Sequence, residues 1–230
     1  MITRRLFLGA AAMAALSGCT TAGRAPQPKP APTPAVPPQE FTVNYGPVLD
    51  EPFPLPAVPA GVVPKRYWRQ RVANPFPDEP VGTIVIDPAA YYLHLVEPGG
   101  TAMRYGIGVG RQGFSWSGTA VVQYTRKWPR WKAPDDMVAR NPELAPYSVA
   151  AGGMDPGPKN PLGARALYLF QNGEDTLYRI HGNPEAHSIG KAVSSGCIRL
   201  LNQDIIDLYE RVRPKAKVVV RAAAMPAALS

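Results

Sequence analysis

Sulfur and imidazole are scarce in this chain, with two cysteines and three histidines in 230 residues. So few ligating side chains exclude a four-cysteine metal centre or a scaffold stapled by several disulfides. Acid is also in short supply: 17 Asp and Glu stand against 25 Lys and Arg, a net charge of +8. That balance suits an anionic polymer or surface as partner. No signature of DNA or RNA recognition accompanies it, so nucleic acid is set aside. Long apolar runs are missing too. The run from Leu6 to Leu16 is about 11 residues, well short of the 20 or so that a bilayer-spanning helix needs. There is no internal repeat.

What is present begins with an address. Arg4-Arg5, the short apolar run and the small residues after it read as a signal peptide over residues 1–19. Thr3-Arg4-Arg5-Leu6-Phe7-Leu8 resembles the twin-arginine export signal, which implies export in the folded state. Leu16-Ser17-Gly18-Cys19 resembles the lipobox of bacterial lipoproteins, which implies lipidation of Cys19 as the first residue of the mature chain. The expectation is an exported, periplasmic lipoprotein held to a membrane by its N-terminal lipid. Cys197 then has no cysteine to pair with, and an odd thiol in an oxidising compartment marks a reactive group. The alternative is a buried cysteine acting as a small hydrophobe.

Residues 20–40 are a proline-rich linker. "APQPKPAPTPAVPP" from Ala25 to Pro38 denies backbone donors to helix and sheet and favours an extended tether. Residues 41–80 stay rich in proline but gain Tyr45, Phe53, Tyr67, Trp68 and Phe76, and are read as an irregular extension packed on the domain. Residues 81–221 form the domain, and residues 222–230 a tail. Within the domain, "GTIVIDP", "YYLHLVEP", "AMRYGIGVG", "GTAVVQYT", "RALYLF", "TLYRIH" and "KAKVVVRA" are short β-branched and aromatic runs that read as strands. Asn172-Gly173 signals a hairpin between two of them. "NQDIIDLYERV" is the one clear helix, with Asn202 as its cap, Ile205, Ile206, Leu208, Tyr209 and Val212 on its apolar face, and Pro214 as its stop. The fold class is therefore mostly β, of the α+β kind.

His181 ends one predicted strand, and Cys197 follows on a glycine-bearing loop two residues before Arg199. A histidine in hydrogen-bond reach can take a thiol proton and leave a nucleophilic thiolate. N–H groups near Gly196 and Cys197 would face a developing oxyanion. Arg199 adds positive charge that lowers a thiol pKa and can hold a carboxylate. Residue types and spacing alone leave catalysis, a core cysteine and a His181/His187/Cys197 metal site open.

The segment "HGNPEAHSIGKAVSSGCIRLLNQDIIDLY" resembles the active-site region of the L,D-transpeptidases of the YkuD type, through His181-Gly182, Ile189-Gly190 and Ser194-Ser195-Gly196-Cys197-Ile198-Arg199. The upstream "NPLGARALYL" is similar as well. The resemblance implies a mixed β-sandwich with one main helix after the catalytic cysteine. It implies Cys197 as nucleophile and His181 as general base and acid. Ser195 stands where the family often has histidine, at a position whose backbone carbonyl orients the catalytic histidine. Gly182, Gly196 and Arg199 take the family positions that shape the site and meet substrate. The implied substrates are peptidoglycan stem peptides, with the acyl group passing to an amine on a second stem or on a protein. Neither metal nor cofactor is implied. Hydrolysis of the same linkages and a non-catalytic wall-binding lipoprotein are the alternatives, and a sortase-like enzyme would need a different context around its Cys, His and Arg. Trp116, Trp128 and Trp131 suit core packing or stacking on sugar rings, and the cations of "RKWPRWK" suit steering of an anionic polymer.

Overall fold

Runs such as Ile84-Val85-Ile86 need burial on both faces, and the sheet supplies it. The computed structural model describes residues 45–110, 114–193 and 198–223. Cys19, the linker, Ser195, Gly196, Cys197 and the end of the tail lie outside the described residues. The strands are β1 (Gln70–Ala73), β2 (Ile84–Asp87), β3 (Tyr92–Glu97), β4 (Thr101–Gly106), β5 (Gly108–Gly110), β6 (Gly118–Lys127), β7 (Arg165–Gln171), β8 (Glu174–Asn183), β9 (Ala192–Val193), β10 (Ile198–Leu201) and β11 (Lys217–Val220). They join in the order β1-β4-β3-β2-β11-β6-β7-β8-β10-β5-β9. The β2–β11, β8–β10 and β5–β9 pairs are parallel and the others antiparallel, so the sheet is mixed.

One core cluster draws Leu93, Met103 and Tyr105 from one end of this order and Leu167, Ile180 and Leu200 from the other. The sheet therefore closes on itself as a sandwich-type fold over a shared interior. Each such aliphatic side chain taken from water contributes about 1.5–3 kcal/mol. The β7–β8 hairpin turns at Asn172 (φ 52°) and Gly173 (φ 86°), the two left-handed residues that a tight hairpin turn requires. "AMRYGIGVG" gives two strands rather than one. The chain leaves β4 at Gly106, where any side chain would strike Tyr67, and resumes as β5 against β10.

Helix α1 (Asp135–Arg140) lies between β6 and β7, and helix α2 (Asn202–Arg211) follows β10 directly. α2 buries Ile205 and Leu208 in the core, and Ile206 packs on a second cluster with Leu55, Trp128 and Ala164. Its last residue is Arg211, three before Pro214. Among the described residues, no helix is long and apolar enough to cross a membrane.

The extension is mostly irregular from Tyr45 to Pro80, but it contains β1, which pairs along the whole of its length with β4. Its attachments are specific. Arg165, almost fully buried, makes a two-pronged ion pair with Glu51 at 2.5 and 2.9 Å, and Trp128 donates to the same carboxylate at 2.7 Å. Tyr45 donates its hydroxyl to buried Asp204 at 3.0 Å. Arg69 reaches Asp207 at 3.2 Å, and Tyr105 donates to Asp207 at 2.6 Å.

Candidate active site

β10 lies parallel to β8, with Ile198 beside Ile180 and Arg199 beside His181. Neighbouring strands run about 4.8 Å apart, so two segments distant in sequence present adjacent residues to one place. His181 is 4% exposed. Its Nδ1 lies 2.6 Å from the Gly182 carbonyl oxygen. A carbonyl only accepts, so that bond puts the proton on Nδ1 and leaves Nε2 with a lone pair. Burial drives the imidazole pKa down to about 4. The carbonyls of Gly182 and Pro161 pull the other way, and the charges of Arg199 and Arg179 add to the depression. The ring is thus neutral at physiological pH, and two carbonyls stand ready to stabilise it once protonated.

Gly182 is glycine for a packing reason. A Cβ there would strike Asn202 Oδ1 and lie 2.9 Å from Ile205 Cγ2. Gly163 has a φ of 61°, and a side chain on it would meet the same Asn202 oxygen. That oxygen accepts from Ala164 N at 2.9 Å. Asn202 is therefore not the helix cap that its place in the sequence suggests. α2 starts at Asn202 with Leu201 before it, and the amide is spent on the buried N–H of a loop crossing the helix start.

Arg199, also mostly buried, donates from Nη1 to Glu185 at 2.9 Å. His181 and Arg199 line a cavity of about 1100 Å³ whose outer wall comes from the segment between β6 and β7, including Arg130, Trp131, Lys132 and Lys159. The wall is pinned by Asn160, 1% exposed. Its amide nitrogen donates to the carbonyls of Pro129 at 3.1 Å and Asp155 at 3.0 Å, and its oxygen accepts from Leu162 N at 2.9 Å. A backbone bridge between Trp131 and Met154 ties the wall's two sides.

Of the predicted site residues, His181, Gly182 and Arg199 come together here. Cys197, Ser195 and Gly196 fall outside the described residues, directly before Ile198. His187 is exposed on a 3-10 turn. The tryptophans divide: Trp128 is buried against Phe53, Trp116 stacks on Tyr178 at 5.0 Å, and Trp131 lines the cavity. Asn160, Pro161 and Asn202 were not singled out for the site from the residues alone. Asn-Pro at 160–161 carries only a turn signal. Among the described residues, no group of three His, Cys, Asp or Glu gathers as a metal site would.

Comparison with known proteins places this geometry. Residues 82–220 match the family model for the L,D-transpeptidase catalytic domain, YkuD. The chain is 34% identical over 148 residues to the probable L,D-transpeptidase YcfS of Escherichia coli, covering 62% of this chain and 44% of that protein. It is 35% identical over 144 residues to the probable L,D-transpeptidase YbiS of the same organism, covering 59% and 43%. The chain thus spans less than half the length of these relatives. Among solved structures, a Brucella melitensis protein described as a probable carnitine operon oxidoreductase is 43% identical, with 71% of this chain and 96% of that chain covered and a TM-score of 0.48. With the matched region taking in β2 to β11, His181 and Arg199, the chain belongs to the L,D-transpeptidase catalytic domain family.

Proposed function

We propose that this protein is a cysteine-dependent L,D-transpeptidase acting on peptidoglycan stem peptides. The observation that carries the reading is His181 itself. It is buried at a large cavity, neutral, with Nδ1 engaged and Nε2 left to accept a proton, and it stands one residue along β8 from Ile180, the partner of the residue that follows Cys197.

In this mechanism Nε2 takes the Cys197 thiol proton as sulfur attacks the carbonyl of the third stem residue, a diamino acid. The resulting imidazolium is held by the Gly182 and Pro161 carbonyls. It then returns the proton to the nitrogen of the departing D-alanine, whose C–N bond breaks to leave a thioester on Cys197. An acceptor amine attacks the thioester, His181 removes its proton, and the sulfur leaves as thiol. Arg199 favours thiolate and carboxylate nearby. Such acyl transfer requires no cofactor.

The test is purified enzyme with defined muropeptides, read by mass spectrometry. Cross-linked or amine-exchanged product, lost by about 10⁴-fold or more in Cys197→Ala, supports the reading. Hydrolysed tripeptide alone would make it an L,D-carboxypeptidase. Unchanged activity in Cys197→Ala would overturn the cysteine assignment, and wall binding without turnover would leave a non-catalytic lipoprotein.

We also propose an exported lipoprotein, anchored through Cys19 in the periplasm, with a protein amine as one acceptor. Arg4-Arg5 and the Leu16-Ser17-Gly18-Cys19 sequence support the export and the anchor. Labelled palmitate should enter the wild type and not Cys19→Ala. Equal labelling of both would refute the anchor.

A further inference from the structure

The cavity beside His181 is lined by five cations, Arg130, Lys132, Lys159, Arg179 and Arg199, against two carboxylates, Asp136 and Glu185. Most of these charges are already matched inside the protein. Arg130 pairs with Asp155, Arg179 with Asp175 at 2.7 Å, Arg199 with Glu185 at 2.9 Å, and Asp136 with Arg140 at 2.9 Å. Lys132 and Lys159 differ, since neither has an ion pair among the described residues. Both residues are exposed, yet the backbone carrying each is held. Lys159 precedes Asn160, whose side chain makes the buried hydrogen bonds described above. Lys132 follows the Trp131–Met154 bridge, and its stem packs against Gly153, where a Cβ would lie 2.8 Å from Lys132 Cγ.

Two uncommitted cations on fixed backbone at the mouth of a concave site select for negative charge on whatever enters. We propose that Lys132 and Lys159 are specificity-determining residues that favour donor peptides whose side carboxylates are free over the same peptides with those carboxylates amidated. This rests on the transpeptidase reading and names the charge state of its donor. The carboxylates concerned are those along the stem, away from the bond that is broken, so the lysines act on donor capture rather than on proton transfer. An exposed ion pair contributes at most about 1 kcal/mol, and tenfold in binding corresponds to 1.4 kcal/mol. The two contacts together therefore predict a preference of about tenfold.

The experiment compares two synthetic tetrapeptide donors, one with free and one with amidated side carboxylates, on the full chain and on K132M/K159M. For the wild type, kcat/KM is expected to favour the free-carboxylate donor about tenfold, chiefly through KM, and the preference should shrink as salt rises. In K132M/K159M the ratio should fall toward one, and in K132E/K159E below one. The same two peptides are titrated calorimetrically against Cys197→Ala, which reads the preference without turnover. Equal binding of the two peptides to Cys197→Ala, or an unchanged ratio in K132M/K159M, overturns the proposal. Discrimination in binding with no turnover of either donor by the wild type would uphold the charge selection and sink the transpeptidase reading instead.

Discussion

Gly182 shows how little tolerance the site has at a single atom. Its carbonyl orients His181, and its missing side chain leaves room for Asn202. Gly182→Ala should force Asn202 or β8 to move, at a cost of about 1–3 kcal/mol. The measurable outcome is a lower Tm together with a loss of Cys197 acylation by donor peptide. Full-rate acylation in a well-folded Gly182→Ala would contradict this account. At His181 itself, removal of the imidazole should slow acylation strongly at neutral pH, with part of the rate returning at high pH as the thiol ionises unaided. His181, Gly182 and Arg199 were legible in sequence because their neighbours form a compact motif. Asn202 and Asn160 were not. An asparagine before an apolar helical run reads as a cap, and nothing local discloses that its partner is Ala164, or that Asn160 spends both ends of its amide on separate loops.

At the scale of elements, the β2 run was readable because burial on both faces demands it, the β11 run because its β-branched residues suit a strand with alternating burial, and the Asn172-Gly173 hairpin because its backbone angles suit few other residues. The attachments of the extension were not readable, since ion pairs such as Glu51–Arg165 leave no trace in local pattern. That pair makes a clear prediction. Arg165 has a side chain 3% exposed, so Glu51→Ala would leave a buried guanidinium without its carboxylate. Losing one partner of such a pair costs about 3–5 kcal/mol, and Trp128 loses an acceptor as well. Denaturant unfolding should show the loss as a lower midpoint. Arg165→Met in the Glu51→Ala background should recover part of it by removing the stranded charge. No recovery would argue that the carboxylate acts by some other contact.

For the molecule as a whole, buried titratable groups set the response to acid. His181 and His94, the latter packed against Phe76 at 5.3 Å, both have their pKa lowered by burial to about 4. An unfolded histidine titrates near 6.5. Between those values the unfolded chain holds more protons, so this stability is complete above about pH 6.5 and is lost as pH falls toward 4. Each histidine accounts for at most about 3 kcal/mol. Asp204 works in the opposite sense. Burial raises its pKa to about 7, so the folded state holds the extra proton and stability falls as pH rises from about 4 to 7. Two histidines outweigh one aspartate, so wild-type Tm should fall between pH 7 and pH 4.5, and in Asp204→Asn it should fall further because the opposing gain is removed. Matching slopes in the two proteins would show that Asp204 titrates normally.

The cavity wall enters the chain between Lys127 and Arg165, which face each other across β6 and β7. An insert whose two ends already meet can be revised along its middle without disturbing the ladder that receives it. Selection acting on residues 130–159 is thus free to revise what the cavity accepts, while Trp128, Pro161 and Ala164 keep their contacts with Glu51, the imidazole and Asn202. Grafting a relative's counterpart of residues 130–159 should carry that relative's ligand preference with it.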